Sequence, residues 1–303
     1  MQAYYDKVKN LPIGQERLWQ NEPMAKHTTF RIGGPADLFF SAATVEEILL
    51  IVRTVREESI PLTVVGNGSN LLVSDQGIRG MVLCIGRDYQ RVTVEGDYIR
   101  AQAGASLKSV AQKALEASLG GLEAISGIPG NVGGAVCMNA GAYGSAVADH
   151  LVSVTMLDPH TGDVETIPAE AMDFGYRTSR AMKEKKIVLE ALWKLPKSKT
   201  EDIRAAMDDY TGRRREKQPL AWPSAGSVFK RPEGYFAGKL IEDAGLKGYT
   251  IGGAQVSELH AGFIINIGGA TARDVDQLIE HIQKIVWEKF SVALETEIRR
   301  IGE

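Results

Sequence analysis

The stretch Ser126–Gly144, SGIPGNVGGAVCMNAGAYG, constrains this chain more than any other feature. It holds six glycines and two asparagines, and no Asp, Glu, Lys or Arg. A second Gly/Asn-rich segment, GNGSNLL at Gly66–Leu72, follows the apolar run Leu62–Val65. Such segments permit positive φ and close backbone approach, so several N–H groups can converge on one anion. Taken alone, either one reads as a structural turn. Together, with Asn and Ser side chains as further donors, they point to a diphosphate gripped mostly by main chain, and so to a nucleotide-type cofactor.

At 303 residues the chain suits two or three small cores better than one. Lys plus Arg is 35 and Asp plus Glu is 38, a net charge of −3. That balance offers no field for a polyanion, so nucleic acid is not the expected partner. Cys84 and Cys137 are the only cysteines. They form neither a metal motif nor a disulfide framework, so no metal site is expected and a reducing cytoplasm is the expected compartment. The N-terminal MQAYYDKVKN lacks a signal-peptide core, and no apolar run has the length of a membrane span.

Residues 1–20 read as a short helix and a loop. Ala36–Phe40, Leu62–Val65 and Gly80–Ile85 read as strands, with a helix between the first two that starts at the capping-box spacing Thr44–Glu47. Arg91–Thr93 and Tyr98–Ala101 read as a hairpin, and Ser106 caps a helix that Gly120-Gly121 ends. Leu151–Leu157, Val164–Ile167 and Ile187–Trp193 are further strands. Pro196–Thr200 is a polar linker and the expected boundary. Beyond it come a helix over Glu201–Lys217, a strand Ser227–Lys230, a helix Phe236–Asp243, a strand Ala261–Ile267, a Thr271-capped helix to about Phe290, and a last strand Val292–Ile301.

No P-loop, H-E-x-x-H, C-x-x-C or G-x-S-x-G is present. Gly66–Leu71 matches half of G-x-G-x-x-G with no helix pattern after it, which argues against a Rossmann site there. By residue type alone, Arg177 reads as a surface arginine and Ser227 as a strand start. Glu297 and Arg299 read as an exposed ion pair, the basic run Arg213–Lys217 as a solvated helix end, and His260 as a half-buried histidine.

Read together, eight segments resemble one family. They are N-E-P-M-A-K-H-T-T-F-R-I-G-G-P-A, G-N-G-S-N-L-L, S-G-I-P-G-N-V-G-G-A, N-A-G-A-Y-G, Y-R-T-S, R-R-R-E-K-Q-P…S-A-G-S-V-F-K-R-P, H-A-G-F-I-I-N and E-T-E-I-R. In this order, from about Asn21 to the C-terminus, they resemble the UDP-N-acetylenolpyruvoylglucosamine reductases of peptidoglycan precursor synthesis. The glycine motifs alone would indicate only the wider vanillyl-alcohol-oxidase-type flavin fold. The resemblance implies an α+β chain: FAD-binding subdomains over 1–85 and 86–198, then a substrate-binding α+β domain over 199–303 whose last strand, about 292–303, carries Glu297. The short connection after Leu195 matches the family's shorter variant, so the longer variant's substrate-covering tyrosine has no counterpart here.

The resemblance also implies the chemistry. NADPH reduces FAD, and flavin N5 delivers hydride to the vinyl carbon of UDP-N-acetylglucosamine enolpyruvate, giving UDP-N-acetylmuramate. Arg177 would stabilise charge accumulating on the substrate carboxylate. Glu297 would add a hydrogen bond if protonated, and Ser227 would protonate the neighbouring carbon. FAD would be held by Gly66, Asn67, Gly68, Ser69, Asn70 and Leu71, and by Ser126, Gly127, Ile128, Pro129, Gly130, Asn131, Gly133, Gly134 and Ala135. Tyr176, Arg214, Lys217, His260 and Arg299 would contact the substrate. Two competing readings are a flavin oxidase with no need for Ser227 or Glu297, and a catalytically silent nucleotide-binding protein that NADPH would not bleach.

Overall fold

Thr44 accepts a hydrogen bond from the Glu47 amide and Ser106 one from the Ser109 amide, and each starts an amphipathic helix, Val45–Glu57 and Leu107–Glu116. Their apolar faces, with Ile48, Ile51 and Val55 on one and Val110, Ala111 and Ala114 on the other, are buried. They join a core that contains Leu38, Phe40, Leu83, Ile99 and Trp193. The Trp193 indole N–H donates to the Val147 carbonyl at 3.0 Å, so this fully buried ring leaves no polar atom unpaired. These elements belong to a computed structural model that describes residues 2–303. Met1, the first residue of the expected N-terminal helix and loop, lies outside the described residues.

The chain forms two compact units, and this core is the first of them, built from residues 1–20, 38–67 and 80–213. Its five-stranded sheet has the order Val164–Pro168, Leu151–Leu157, Ile187–Lys194, Tyr98–Gln102, Val92–Glu95, antiparallel throughout. A four-stranded sheet has the order Leu18–Pro23, Pro35–Ser41, Ile78–Cys84, Leu62–Val65, its last pair parallel.

The second unit is built from residues 21–37, 68–79 and 214–303. Its antiparallel sheet has the order Ser224–Ser227, Phe263–Asn266, Ala254–Val256, Thr250–Ile251. The helices Ala237–Asp243 and Ala272–Phe290 bury Leu240, Ile241, Leu278 and Ile282 in a core with Phe229 and Ile264. Phe30, Ile32 and Leu72 enter the same core from the two early segments. The long helix starts with a full capping box at Thr271 and Asp274. The Asp75 carboxylate also accepts the Ala272 and Arg273 amides at 2.8 and 3.1 Å, where a helix N-terminus favours negative charge. Leu71–Val73 pairs in parallel with Arg299–Ile301.

Four expectations are corrected. The final strand is Arg299–Ile301 only; Val292–Ile298 is irregular apart from a Phe229–Thr296 bridge. The strand expected at Ser227–Lys230 spans Ser224–Ser227 and carries a register shift against Phe263–Asn266 between Ser224 and Ser227, where Gly226 has φ +79°; past Ser227 the chain turns to pair with Glu295 and Thr296 instead. Leu18–Pro23, expected within or just after a loop, is a strand. The glycine segment contains the helix Val132–Cys137. No helix among the described residues is long and apolar enough to cross a membrane.

Candidate active site

In the first unit the two Gly/Asn-rich segments meet. The Asn67 side-chain amide donates to the Pro129 carbonyl at 2.9 Å, and a Cβ on Gly66 would stand 3.7 Å from Asn131 Nδ2. The Pro129–Gly133 main chain is fixed from behind. The Gly130 carbonyl accepts the Leu107 amide, and the Val132 and Gly133 amides donate to the Ala105 and Ala103 carbonyls. That leaves the N–H groups of Asn67, Gly127, Asn131 and Gly134 without an acceptor among the described residues. A Cβ on Gly134 would meet no atom within 4 Å. Acceptor-free amides beside open space are what a diphosphate needs, so the residues present fit a dinucleotide cofactor. The Ser126 hydroxyl donates to the Glu123 carbonyl at 2.7 Å, so its hydrogen is engaged within the protein.

The second glycine loop continues into the other unit. There the Gly68, Ser69 and Asn70 amides also have no acceptor among the described residues. Gly68 has φ +62°, and a Cβ on it would lie 2.1 Å from the His27 carbonyl oxygen, so only glycine fits.

Tyr176 and Arg177 lie in a tight turn closed by reciprocal Gly175–Thr178 main-chain hydrogen bonds. Arg177 adopts φ +56°, a conformation a non-glycine residue holds only when its surroundings impose it. Here they do. The Asn139 side chain donates to the Gly175 carbonyl at 3.1 Å, and the buried Ser179 hydroxyl donates to the Cys137 carbonyl at 2.8 Å. The Arg177 guanidinium lies 5.0 Å from the Tyr176 ring centre. Asn139 and Ser179 were not singled out from the sequence, although both sit inside segments that carry the resemblance, N-A-G-A-Y-G and Y-R-T-S.

In the second unit, adjacent main-chain segments gather Ser227, His260, Glu297 and Arg299. Ser227 pairs with Phe263, and the Val228 amide donates to the Gly262 carbonyl at 2.9 Å. The Val228 carbonyl accepts the Glu297 amide at 2.7 Å. Asn70 donates from its side chain to the Glu297 carbonyl at 3.1 Å, and its own carbonyl accepts the Arg299 amide at 2.9 Å. His260 Nδ1 accepts the Gly262 amide at 3.1 Å, which puts the ring proton of the neutral form on Nε2. Burial lowers the pKa of His260 from 6.5, favouring that neutral form. Arg214 and Lys217 lie in the last turn of the helix Thr200–Lys217. No group of three or more His, Cys, Asp or Glu among the described residues could hold a metal ion.

Residues 36–167 match a family model described as an FAD binding domain, and residues 218–301 match the UDP-N-acetylenolpyruvoylglucosamine reductase C-terminal domain. The chain is 50% identical over 298 residues to the UDP-N-acetylenolpyruvoylglucosamine reductase of Caldanaerobacter subterraneus subsp. tengcongensis, covering 98% of each chain. It is similar to the crystal structure of UDP-N-acetylenolpyruvylglucosamine reductase from Thermus caldophilus, with 36% identity and a TM-score of 0.79 over 92% of this chain and 97% of that one. A likeness of fold alone extends to a doubly substituted variant of Phl p 4, a glucose oxidase, with 14% identity and a TM-score of 0.50 over 65% of this chain and 44% of that one.

Proposed function

The chain belongs to the UDP-N-acetylenolpyruvoylglucosamine reductase family, and on that premise we propose how its residues reduce an enolpyruvyl sugar nucleotide. It is an FAD-dependent oxidoreductase of peptidoglycan precursor synthesis. The reading adds NADPH as reductant, UDP-N-acetylglucosamine enolpyruvate as substrate, UDP-N-acetylmuramate as product, and the cytoplasm as the compartment.

Bound FAD supplies the hydride that the vinyl carbon accepts. The double bond is electron-rich, so negative charge must be drawn toward the substrate carboxylate as the hydride arrives. Arg177 is the group for that task, since a guanidinium stays charged and can engage both oxygens of a carboxylate. A preorganised cation has its largest effect where water is excluded. Glu297, when protonated, donates a further hydrogen bond to the same oxygens. The Ser227 hydroxyl then gives its proton to the carbon beside the carboxylate. A hydroxyl is a weak acid, but the carbon is a strong base at that moment, so the transfer is downhill. His260 offers a fixed Nε2–H to the substrate, Tyr176 lines it, and Arg214, Lys217 and Arg299 balance the diphosphate charge.

The observation that supports this reading most directly is the 2.7 Å bond from the Glu297 amide to the Val228 carbonyl. It sets Glu297 against Val228, the chain neighbour of Ser227, and so brings close two residues, Ser227 and Glu297, that are far apart in sequence and that acid chemistry on one substrate would require together. The test is anaerobic. NADPH should bleach the purified yellow protein, and the enolpyruvyl sugar nucleotide should restore the colour with stoichiometric lactyl ether. Failure of either step removes the reading.

A further inference from the structure

Asn70 brackets Ile298 with two hydrogen bonds, one to the residue before it and one from the residue after it. Its Nδ2 donates to the Glu297 carbonyl at 3.1 Å, and its carbonyl accepts the Arg299 amide at 2.9 Å. Ile298 itself is buried in the core of the unit. The Leu71–Val73 strand that follows Asn70 runs parallel to Arg299–Ile301. The peptide that carries the Glu297 side chain is thus held at its carbonyl by Asn70, at its amide by Val228, and from beyond by the Ile298 anchor. Any residue at position 70 could supply the main-chain carbonyl to Arg299. Only a side chain with a donor at the length of asparagine's reaches the Glu297 carbonyl.

We propose that Asn70 is a positioning residue for Glu297, so that the loop offering acceptor-free amides to the cofactor also fixes the carboxyl that assists reduction. This rests on the role given to Glu297 above. One Nδ2 hydrogen of Asn70 is committed to the Glu297 carbonyl, which ties the side chain to the peptide that carries Glu297. Aspartate at position 70 keeps the shape but sets an acceptor against an acceptor.

The test uses holoenzyme carrying Asn70→Asp or Asn70→Ala, at saturating FAD. Stopped flow gives two rates: bleaching by NADPH, and recovery on adding the enolpyruvyl sugar nucleotide. Recovery should fall about tenfold more than bleaching, the effect of one lost hydrogen bond of about 1.4 kcal/mol. In a Glu297→Gln background, Asn70→Asp should slow recovery less than about twofold further, since coupled residues do not add. Amide hydrogen exchange should quicken in the peptide spanning Glu297–Arg299 and stay unchanged in the Ala272–Phe290 helix. Equal slowing of both rates, multiplying losses in the double variant, or exchange at Glu297–Arg299 that does not move would overturn the proposal. Failure of both variants to take up flavin would also overturn it, by placing Asn70 in cofactor retention. Should the unaltered holoenzyme bleach without recovering, the proposed reaction fails, and exchange alone then decides whether Asn70 positions Glu297.

Discussion

The Asn67 side-chain amide donates to the Pro129 carbonyl at 2.9 Å, pinning together two glycine-rich segments 62 residues apart in the chain. The bond uses one side-chain N–H, while the Asn67 main-chain N–H has no acceptor among the described residues, nor have those of Gly127, Asn131 and Gly134. Each unmade bond costs free energy if buried dry, so such a cluster is stable when solvated or when a ligand supplies the acceptors. The same segments therefore organise the first unit locally and leave a set of donors for an anion.

Two glycines separate backbone need from ligand space. Gly68→Ala puts a Cβ 2.1 Å from the His27 carbonyl oxygen at φ +62°. It should cost at least about 2 kcal/mol in urea denaturation, from left-handed strain plus the clash. Gly134→Ala meets no atom within 4 Å and lies inside a helix. It should leave the apoprotein unchanged or up to about 1 kcal/mol more stable. Its FAD dissociation constant should nonetheless rise at least about tenfold by calorimetric titration, as a methyl enters space the cofactor needs. An unchanged FAD affinity would take Gly134 out of the cofactor site.

Ser227→Ala should slow recovery of the flavin colour at least about a hundredfold more than it slows bleaching by NADPH, the lower range for a lost general acid. Glu297→Gln keeps a donor and loses the titration, so it should flatten the pH dependence of recovery on the side where the carboxyl ionises. Stopped flow across pH measures both. Equal loss in the two half-reactions would assign Ser227 to structure rather than to proton transfer.

Periodic elements were legible in the sequence, and non-local ones were not. The Thr271-capped helix is found as expected because Val275, Leu278, Ile279 and Ile282 recur at the helical period and are buried. The same holds for Ser106 and the helix it caps. The helix Val132–Cys137 stayed hidden because Gly133 and Gly134 are poor helix formers, and tertiary bonds to Ala103 and Ala105 hold its first turn instead. Pairing of Leu71–Val73 with Arg299–Ile301 has no local signature, since each is three residues long and they lie far apart in the chain. The last strand expected over Val292–Ile301, with Glu297 and Arg299 both on it, includes only Arg299 of the two. Of the site, residue types and motif order were readable, whereas the turn imposed on Arg177 by Asn139 and Ser179 depends on contacts that no spacing reveals.

His260 should titrate below 6.5 in the folded protein, since burial penalises its charged form. In the unfolded chain it takes up a proton at higher pH, so the stability it contributes is complete above that range and declines as pH falls through it. Nitrogen NMR at neutral pH should show Nε2 protonated and Nδ1 bare, because Nδ1 accepts the Gly262 amide at 3.1 Å. A ring carrying its proton on Nδ1 would remove the fixed donor assigned to His260.

Acid should destabilise the first unit through Glu47, whose carboxylate is nearly buried. Burial pushes its pKa up, but the paired Arg17 guanidinium and the Ala43 and Gly14 amides outweigh that and hold it at about 2. In the unfolded chain the group takes up a proton near 4.5. Between these values the unfolded state binds more protons, so the stability Glu47 contributes is complete above about 4.5 and is lost as pH falls toward about 2. Glu47→Gln should remove that part of the acid slope. It should also cost about 3 kcal/mol at neutral pH, because Arg17 is left partly buried beside a neutral partner. Arg17→Met with Glu47→Gln should recover part of the loss, since no charge is then left unpaired and the glutamine oxygen can still accept a main-chain amide. Denaturant midpoints measured at neutral and acid pH for the three proteins decide it. A single variant that keeps the acid slope would show that other carboxylates carry it.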